Sequence, residues 1–486
     1  MKKKSLSINA FFNSFRVVLN LIFPLITFPY VFRTLGVDYY GKYQFSNSIV
    51  SYFILLAALG ISSYAIREGS KYRNDEKKMS KFVSDIFSIN LISCCFSLLL
   101  LFFLIFFVSK FNDYRLIISV LSINVITNTI GMEWLLNIYE QFQYITIRTF
   151  IFQIVSIVLL FLFVHSPSDL IIYAAVVVIS NGGANILNFL RLKKILNITF
   201  TFQNSWKKHF PSIFILFLST LSQQIYIYSD ITLLGILNSD REVGLYSSAT
   251  KIYNISKQLI NAIITVSIPR FSYLIGRNDV KKYSVLANKM LNVILVLALP
   301  LCLGLCLISK DVVLIIAGSN YVRSSIPLSI LSFSLLFACL AYLFSNAVLI
   351  NFKCEKIVLV SSIISSSLNI ILNLILLPKF NIIAAASTTL LSEFLMFVIC
   401  FKFARKKIRF SLDVKNLIVS ILGCFLILFC CFVIHYYVNS LFLRTFLSVF
   451  LSVVMYFGIH VIFRSYFFTN YMYPKFKLCL NAIHKF

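Results

Sequence analysis

About fourteen apolar stretches, each near the twenty or so residues a helix needs to cross a bilayer, make up most of this chain. They fall near 11–33, 43–66, 82–108, 115–138, 144–164, 169–190, 210–237, 244–268, 284–308, 325–350, 357–377, 382–403, 415–437 and 443–464. Inside a bilayer every backbone polar group must find its partner in a helix or in a closed barrel. Barrel strands alternate apolar and polar residues, and these runs do not, so they predict helices. Composition agrees, with 59% of the 486 residues hydrophobic and 50 Phe against 14 Gly. The opening Met1-Lys2-Lys3-Lys4 and the apolar run behind it have the outline of a signal peptide. That run is long, holds Arg16 and lacks a small-residue cleavage site, so it reads as an uncleaved first helix. The expected fold is an all-α polytopic membrane protein.

The net charge of +27 does not point to nucleic acid, because the basic residues sit in the short connections between apolar runs. That arrangement orients a membrane protein. With the amino terminus inside, the inward connections are 67–81, 139–148, 191–209, 269–283, 352–356 and 402–415, plus both termini. They hold roughly 31 of the 44 Lys and Arg. No connection exceeds about twenty residues, which leaves no room for a soluble domain. The 11 Cys lie mostly inside apolar runs and read as small packing residues.

The chain repeats itself. Gly41-Lys42-Tyr43-Gln44-Phe45-Ser46 is echoed by Gly244-Leu245-Tyr246-Ser247-Ser248, Arg73-Asn74-Asp75 by Arg277-Asn278-Asp279, and Lys193-Lys194-Ile195 by Lys406-Lys407-Ile408. The offset is slightly more than 200 residues each time. Two lobes of six helices followed by two extra helices explain it. The division is 1–209, 210–409 and 410–486. An even number of helices per lobe makes the repeats parallel, flanking a central cavity that opens to one side at a time.

Ionisable and amide side chains inside apolar runs are costly, so they mark candidate sites. Between Phe210 and Pro269 two apolar helices meet at the polar turn 238–242. The first carries Asp230. The second carries Lys251, Asn254, Gln258 and Asn261 at helical spacing, with Lys257 one position aside. Asp230 and Lys251 each lie about seven residues from the turn, roughly 10 Å deep. Helix 1 presents Asn9, Asn13, Arg16 and Asn20, helix 2 presents Gln44, Asn47 or Ser48, and Ser51, and helix 7 presents Ser219, Gln223, Tyr226 and Asp230. These stripes read as cavity lining. The shorter ones, Asn181, Asn185 and Asn188 in helix 6 and Ser362, Ser366, Asn369 and Asn373 in helix 11, suit either a cavity or hydrogen-bonded glue between helices. Glu133 in helix 4 and Glu393 in helix 12 read as buried acids and are, with Asp230, candidates for a coupling proton; pairing with a cation and a local hydrogen bond are the alternatives for either Glu. Trp134, Tyr39, Tyr40 and Tyr43 suit interfacial belts.

The chain has no G-x-x-x-x-G-K-[ST], H-E-x-x-H, G-x-S-x-G or C-x-x-C. Its five His are scattered. No catalytic residue, metal site or cofactor is expected.

Three stretches carry a resemblance. Arg33-Thr34-Leu35-Gly36 and Tyr40-Gly41-Lys42-Tyr43 link helices 1 and 2, and Leu59-Gly60-Ile61 with Arg67-Glu68 closes helix 2. Asp230, Leu234-Gly235 and Val243-Gly244-Leu245-Tyr246 form the counterpart in the second lobe. This pattern resembles the polysaccharide-transporter family of the multidrug/oligosaccharidyl-lipid/polysaccharide exporter superfamily, and within it the O-antigen and capsule repeat-unit flippases. The resemblance implies a bacterial inner-membrane protein that moves undecaprenyl-pyrophosphate-linked oligosaccharide to the outer leaflet by alternating access. It also implies proton or sodium coupling and polysaccharide polymerase or assembly partners. Related lipid II flippases carry cations on helices 1, 2 and 8. Here Arg16, Lys251 and Lys257 match helices 1 and 8, while helix 2 has only Lys42 at its start. The family's basic residue after the helix-7 aspartate is Ile231 here, which makes Lys251 the candidate partner of Asp230. Two rival readings remain. A multidrug exporter of the same superfamily would want acids in its cavity, and a membrane polysaccharide polymerase would want a long outward catalytic loop.

Overall fold

A computed structural model describes residues 6–194, 196, 198–201 and 206–465. The described residues are predominantly helical, with no strand among them. The chain divides into two compact units, 1–244 and 245–486. This packing boundary is a different quantity from the repeat boundary expected at 209/210, because it records which helices touch.

The first unit holds α1 (Leu6–Ala58), α2 (Ile61–Gly69), α3 (Glu76–Phe107), α4 (Arg115–Gly131) and α5 (Glu133–Ile138). It continues through α6 (Phe142–Phe163), α7 (Leu170–Val178), α8 (Ala184–Lys193) and α9 (Trp206–Leu237). A π-helical turn, Ile179–Gly183, joins α7 to α8. The long α1 packs on α3, α4, α6 and α9. Helix α10 (Asp240–Gly276) begins in the first unit and carries the chain into the second. There follow α11 (Val280–Leu307), α12 (Ser309–Ile316), α13 (Ser325–Tyr342), α14 (Glu355–Ala404), α15 (Val414–Tyr437) and α16 (Leu441–Ile462). Within the second unit α11 packs on α13 and α15, α13 on α14, and α15 on α16.

Twelve helical stretches among the described residues are long and apolar enough to cross a membrane. The two longest, of 55 and 50 residues, each contain a backbone break well inside the stretch. In α1 it is at Gly36 (φ 71°), and in α14 at Asn381 (φ 47°). Both breaks lie where the sequence places a connection, between segments 1 and 2 and between segments 11 and 12. The difference between twelve spans and fourteen segments resides in these two long helices. Large apolar side chains such as Leu99, Phe107, Phe429 and Phe432 are exposed on the helix surfaces. That distribution suits lipid as the solvent and would be a liability in water.

The repeats acquire physical meaning here. Asp75 caps α3 by accepting from the Lys78 backbone N–H at 3.0 Å, and its repeat partner Asp279 caps α11 by accepting from that of Lys282 at 3.0 Å. Each aspartate also pairs with the same lysine's ammonium, at 3.1 and 2.9 Å. These bonds satisfy orphan donors of the first turn. At the other motif, residues 37–41 and 240–244 pack against each other inside the first unit. A Cβ on Gly41 would lie 1.7 Å from the Asp240 carbonyl oxygen, and one on Gly244 would lie 2.1 Å from that of Val37. Each glycine therefore admits the backbone of the other copy.

The aromatic belt is corrected in part. Trp134, Tyr40 and Tyr43 are buried. Trp134 belongs to a core cluster with Tyr64, Phe82 and Ile86, and only Tyr39 is exposed. Position near a helix end does not by itself place an aromatic ring in the headgroup layer. In the second unit Asn369, Asn373 and Thr388 form a buried network, with Thr388 donating to Asn373 at 2.7 Å and Asn373 to Asn369 at 3.1 Å. For Asn369 and Asn373 the glue reading holds.

Candidate functional site

The first unit encloses a cavity of about 770 Å³. Every lining residue belongs to that unit, and three of them carry charge: Arg16, Glu133 and Arg148. Their geometry begins with a break in the chain. Met132 adopts a left-handed conformation (φ 39°, ψ 42°) that ends α4 and starts α5. Glu133 thus stands in the first turn of α5, where a helix N-terminus favours a carboxylate. Its two oxygens take different partners. Arg16 Nη1 of α1 donates to Oε1 at 3.0 Å, and Arg148 Nη2 of α6 donates to Oε2 at 2.9 Å. Arg148 also donates through Nη1 to the Ala184 carbonyl of α8 at 3.0 Å.

Exposure separates the three roles. The Arg148 side chain is 4% exposed and that of Glu133 37%. A buried guanidinium is tolerated only with a partner and a fixed geometry, and Arg148 has both. Glu133 opens to the cavity and is not the buried acid that the sequence suggests. Two guanidiniums against one carboxylate leave the cluster at a net charge of +1. The rest of the wall is largely amides and hydroxyls. Asn20 and Asn47 of α1, Asn90 of α3, Asn128 of α4 and Asn185 of α8 line it, and Gln153 of α6 donates to Asn20 at 3.0 Å.

The predicted residues fall into groups. Arg16, Asn20, Asn47 and Glu133 come together in this cavity. Gln44 is buried against the Tyr40 hydroxyl and is not among the lining residues. Asn13 lies on α1, and its side chain is outside the described residues. On α9, Gln223 is exposed and Asp230 is buried, and it is Tyr228 of that helix that reaches the cavity. Lys251, Asn254, Lys257, Gln258 and Asn261 lie on α10 in the second unit. Lys257 pairs with Glu393 of α14 at 3.5 Å and sits 4.9 Å from the Tyr253 ring centroid. Both glutamates therefore have cation partners.

Arg148 was missed. Sequence reading counts it with the cytoplasmic connection 139–148, yet it stands seven residues inside α6. The signal that could have found it is Thr149 and Gln153, two polar residues at helical spacing in the apolar run directly behind it; both line the cavity.

These features define a polytopic helical membrane protein with a polar, net-cationic chamber in its first unit. Residues 6–275, more than half of the chain, match the polysaccharide biosynthesis protein family, and the chain belongs to it. A putative O-antigen transporter of Escherichia coli K12 is 25% identical over 389 residues, 79% of this chain and 93% of that protein. Among solved structures, the lipid II flippase MurJ in an inward closed conformation superposes with a TM-score of 0.77 at 17% identity, covering 96% of this chain and 99% of that one. An inward-facing multidrug resistance transporter of the MATE family gives 0.60 at 12% identity, covering 80% and 98%. The fold is that of the superfamily the sequence motifs resemble.

Proposed function

We propose that this protein is a flippase that carries a polyprenyl-diphosphate-linked oligosaccharide from the inner to the outer leaflet, for the synthesis of a surface polysaccharide. The observation that carries this reading is the Arg16–Glu133–Arg148 cluster inside a large polar cavity. A diphosphate requires charge-assisted donors in a partly desolvated place, and guanidinium forks match phosphate oxygens. Glu133 holds both forks in position until the ligand arrives. A drug exporter for cationic cargo would need the opposite sign of charge, and the cluster is net positive. The relative from Escherichia coli is named an O-antigen transporter, in keeping with this cargo. Access alternates between the two sides of the membrane while the lipid tail stays in the bilayer. Arg16, Asn20 and Asn47 serve the head group, and Lys251, Lys257 and their stripe on α10 are separate substrate-binding candidates within the second unit. Glu133, Asp230 and Glu393 are the groups that could couple a proton.

The test is deletion of the gene. Lipid-linked oligosaccharide should accumulate on the cytoplasmic face, and wild-type protein but not the Arg148→Ala variant should clear it. Unchanged distribution of the lipid in the deletion strain would overturn the reading.

A further inference from the structure

The cavity holds more than the charged cluster needs. Asn128, Asn181 and Asn185 all line it, Asn128 and Asn181 are exposed, and Asn185 is half-buried. Among the described residues their side chains make no hydrogen bond within the protein. Amides that glue membrane helices together are paired and buried, as Asn369 and Asn373 are. These three are neither, although each lies on a membrane-spanning stretch. Their placement is built into the backbone. Asn181 sits in the π-helical turn Ile179–Gly183, a feature often found at functional sites. Asn185 lies against Gly131, where a Cβ would come within 2.6 Å of its carboxamide. Gly131 stands two residues before Glu133, and Asn185 one residue after Ala184, whose carbonyl accepts from Arg148. Asn185 therefore adjoins the cationic cluster, and Asn128 and Asn181 share its cavity.

We infer that Asn128, Asn181 and Asn185 form a sugar subsite that takes the hydroxyl or acetamido groups of the sugar joined directly to the diphosphate. This rests on the flippase reading and adds the chemistry of the first sugar. A carboxamide both donates and accepts, as a sugar hydroxyl does, so each can take a hydroxyl pair.

The experiment uses the full-length protein in lipid nanodiscs and native mass spectrometry. The probes are undecaprenyl diphosphate and the same lipid bearing one N-acetylhexosamine. Wild type should bind the sugar-bearing lipid about tenfold more tightly than the bare one, the gain expected of one or two added hydrogen bonds. The double variant Asn181→Ala/Asn185→Ala should bring that ratio to about one. Its binding of the bare lipid serves as the check on folding. Arg148→Ala should weaken both lipids together. Equal binding of the two lipids by wild type, or a ratio unchanged in the double variant, would overturn the sugar subsite while leaving the diphosphate reading in place. Binding of both lipids unaffected by Arg148→Ala would instead overturn the diphosphate reading beneath it. If the double variant fails to bind the bare lipid, Asn128→Ala takes its place, and an undiminished sugar preference in it would count against the subsite.

Discussion

Arg148 shows how one side chain decides the character of the chamber. It sits on α6, is paired through Glu133 to Arg16 of α1, and reaches the α8 backbone. Replacing it with Ala leaves Glu133 paired to Arg16 alone and removes the net positive charge. Transport of lipid-linked oligosaccharide should fall by at least about 100-fold, since a charge-assisted pair to phosphate is lost. Arg148→Lys keeps the charge but cannot span Glu133 and Ala184 with one planar fork, so it should recover only a fraction. Full activity in the Lys variant would show that charge alone suffices. Arg16, Asn20, Asn47 and Glu133 were legible because a polar residue in an apolar run announces itself. Arg148 was not, because it stands at the edge of its run, where a cation is ordinary. Which acid holds which cation was also illegible: Glu133 and Arg16 are 117 residues apart, and only the packing of α1, α5 and α6 joins them.

The repeated motifs act as packing devices at the scale of helices. Gly41 and Gly244 occupy matching positions of the two copies, and each accepts the backbone of the other copy's segment. Gly41→Ala or Gly244→Ala should each force the crossing segments apart, at a cost of about 1–3 kcal/mol, read as a lowered thermal midpoint in detergent. One displacement relieves both clashes, so the double variant should cost less than the sum of the singles. Strict additivity would separate the two contacts. The aspartate caps behave in parallel. Hydrogen bonds from the Lys78 and Lys282 backbones hold the Asp75 and Asp279 carboxyls below the ordinary carboxylate range. A depressed folded-state pKa contributes stability above the unfolded value and loses it as pH falls through the folded one. Asp75→Asn and Asp279→Asn should therefore lower the midpoint at pH 7, with the difference from wild type vanishing in acid. Sequence reveals such motifs as echoes. It does not reveal that one pair is a cap and the other a backbone crossing, because that depends on what faces each glycine and each carboxylate.

For the whole molecule the sign of charge links the site to the direction of transport. Within the proposed function the cargo is a diphosphate diester of about two negative charges, and the cluster that receives it is net +1. A site that exchanges its exposure between two sides carries its own charge through the membrane field. The loaded step then moves about one negative charge outward, and the empty return moves about one positive charge inward. With the cell interior negative by 100 mV, each step gains roughly 2.3 kcal/mol, so both halves of the cycle run downhill in the same field. Glu133→Gln raises the empty cluster to about +2. Its loaded step becomes nearly electroneutral, and the return takes up the whole dependence. In proteoliposomes with an imposed potassium diffusion potential, single-turnover flipping by wild type should accelerate with an inside-negative potential applied from the loading side. The Glu133→Gln variant should lose that response in single turnover and keep it in steady state. An exporter of cations would slow under the same potential, and a variant whose single turnover still followed the field would place the compensating charge elsewhere than Glu133.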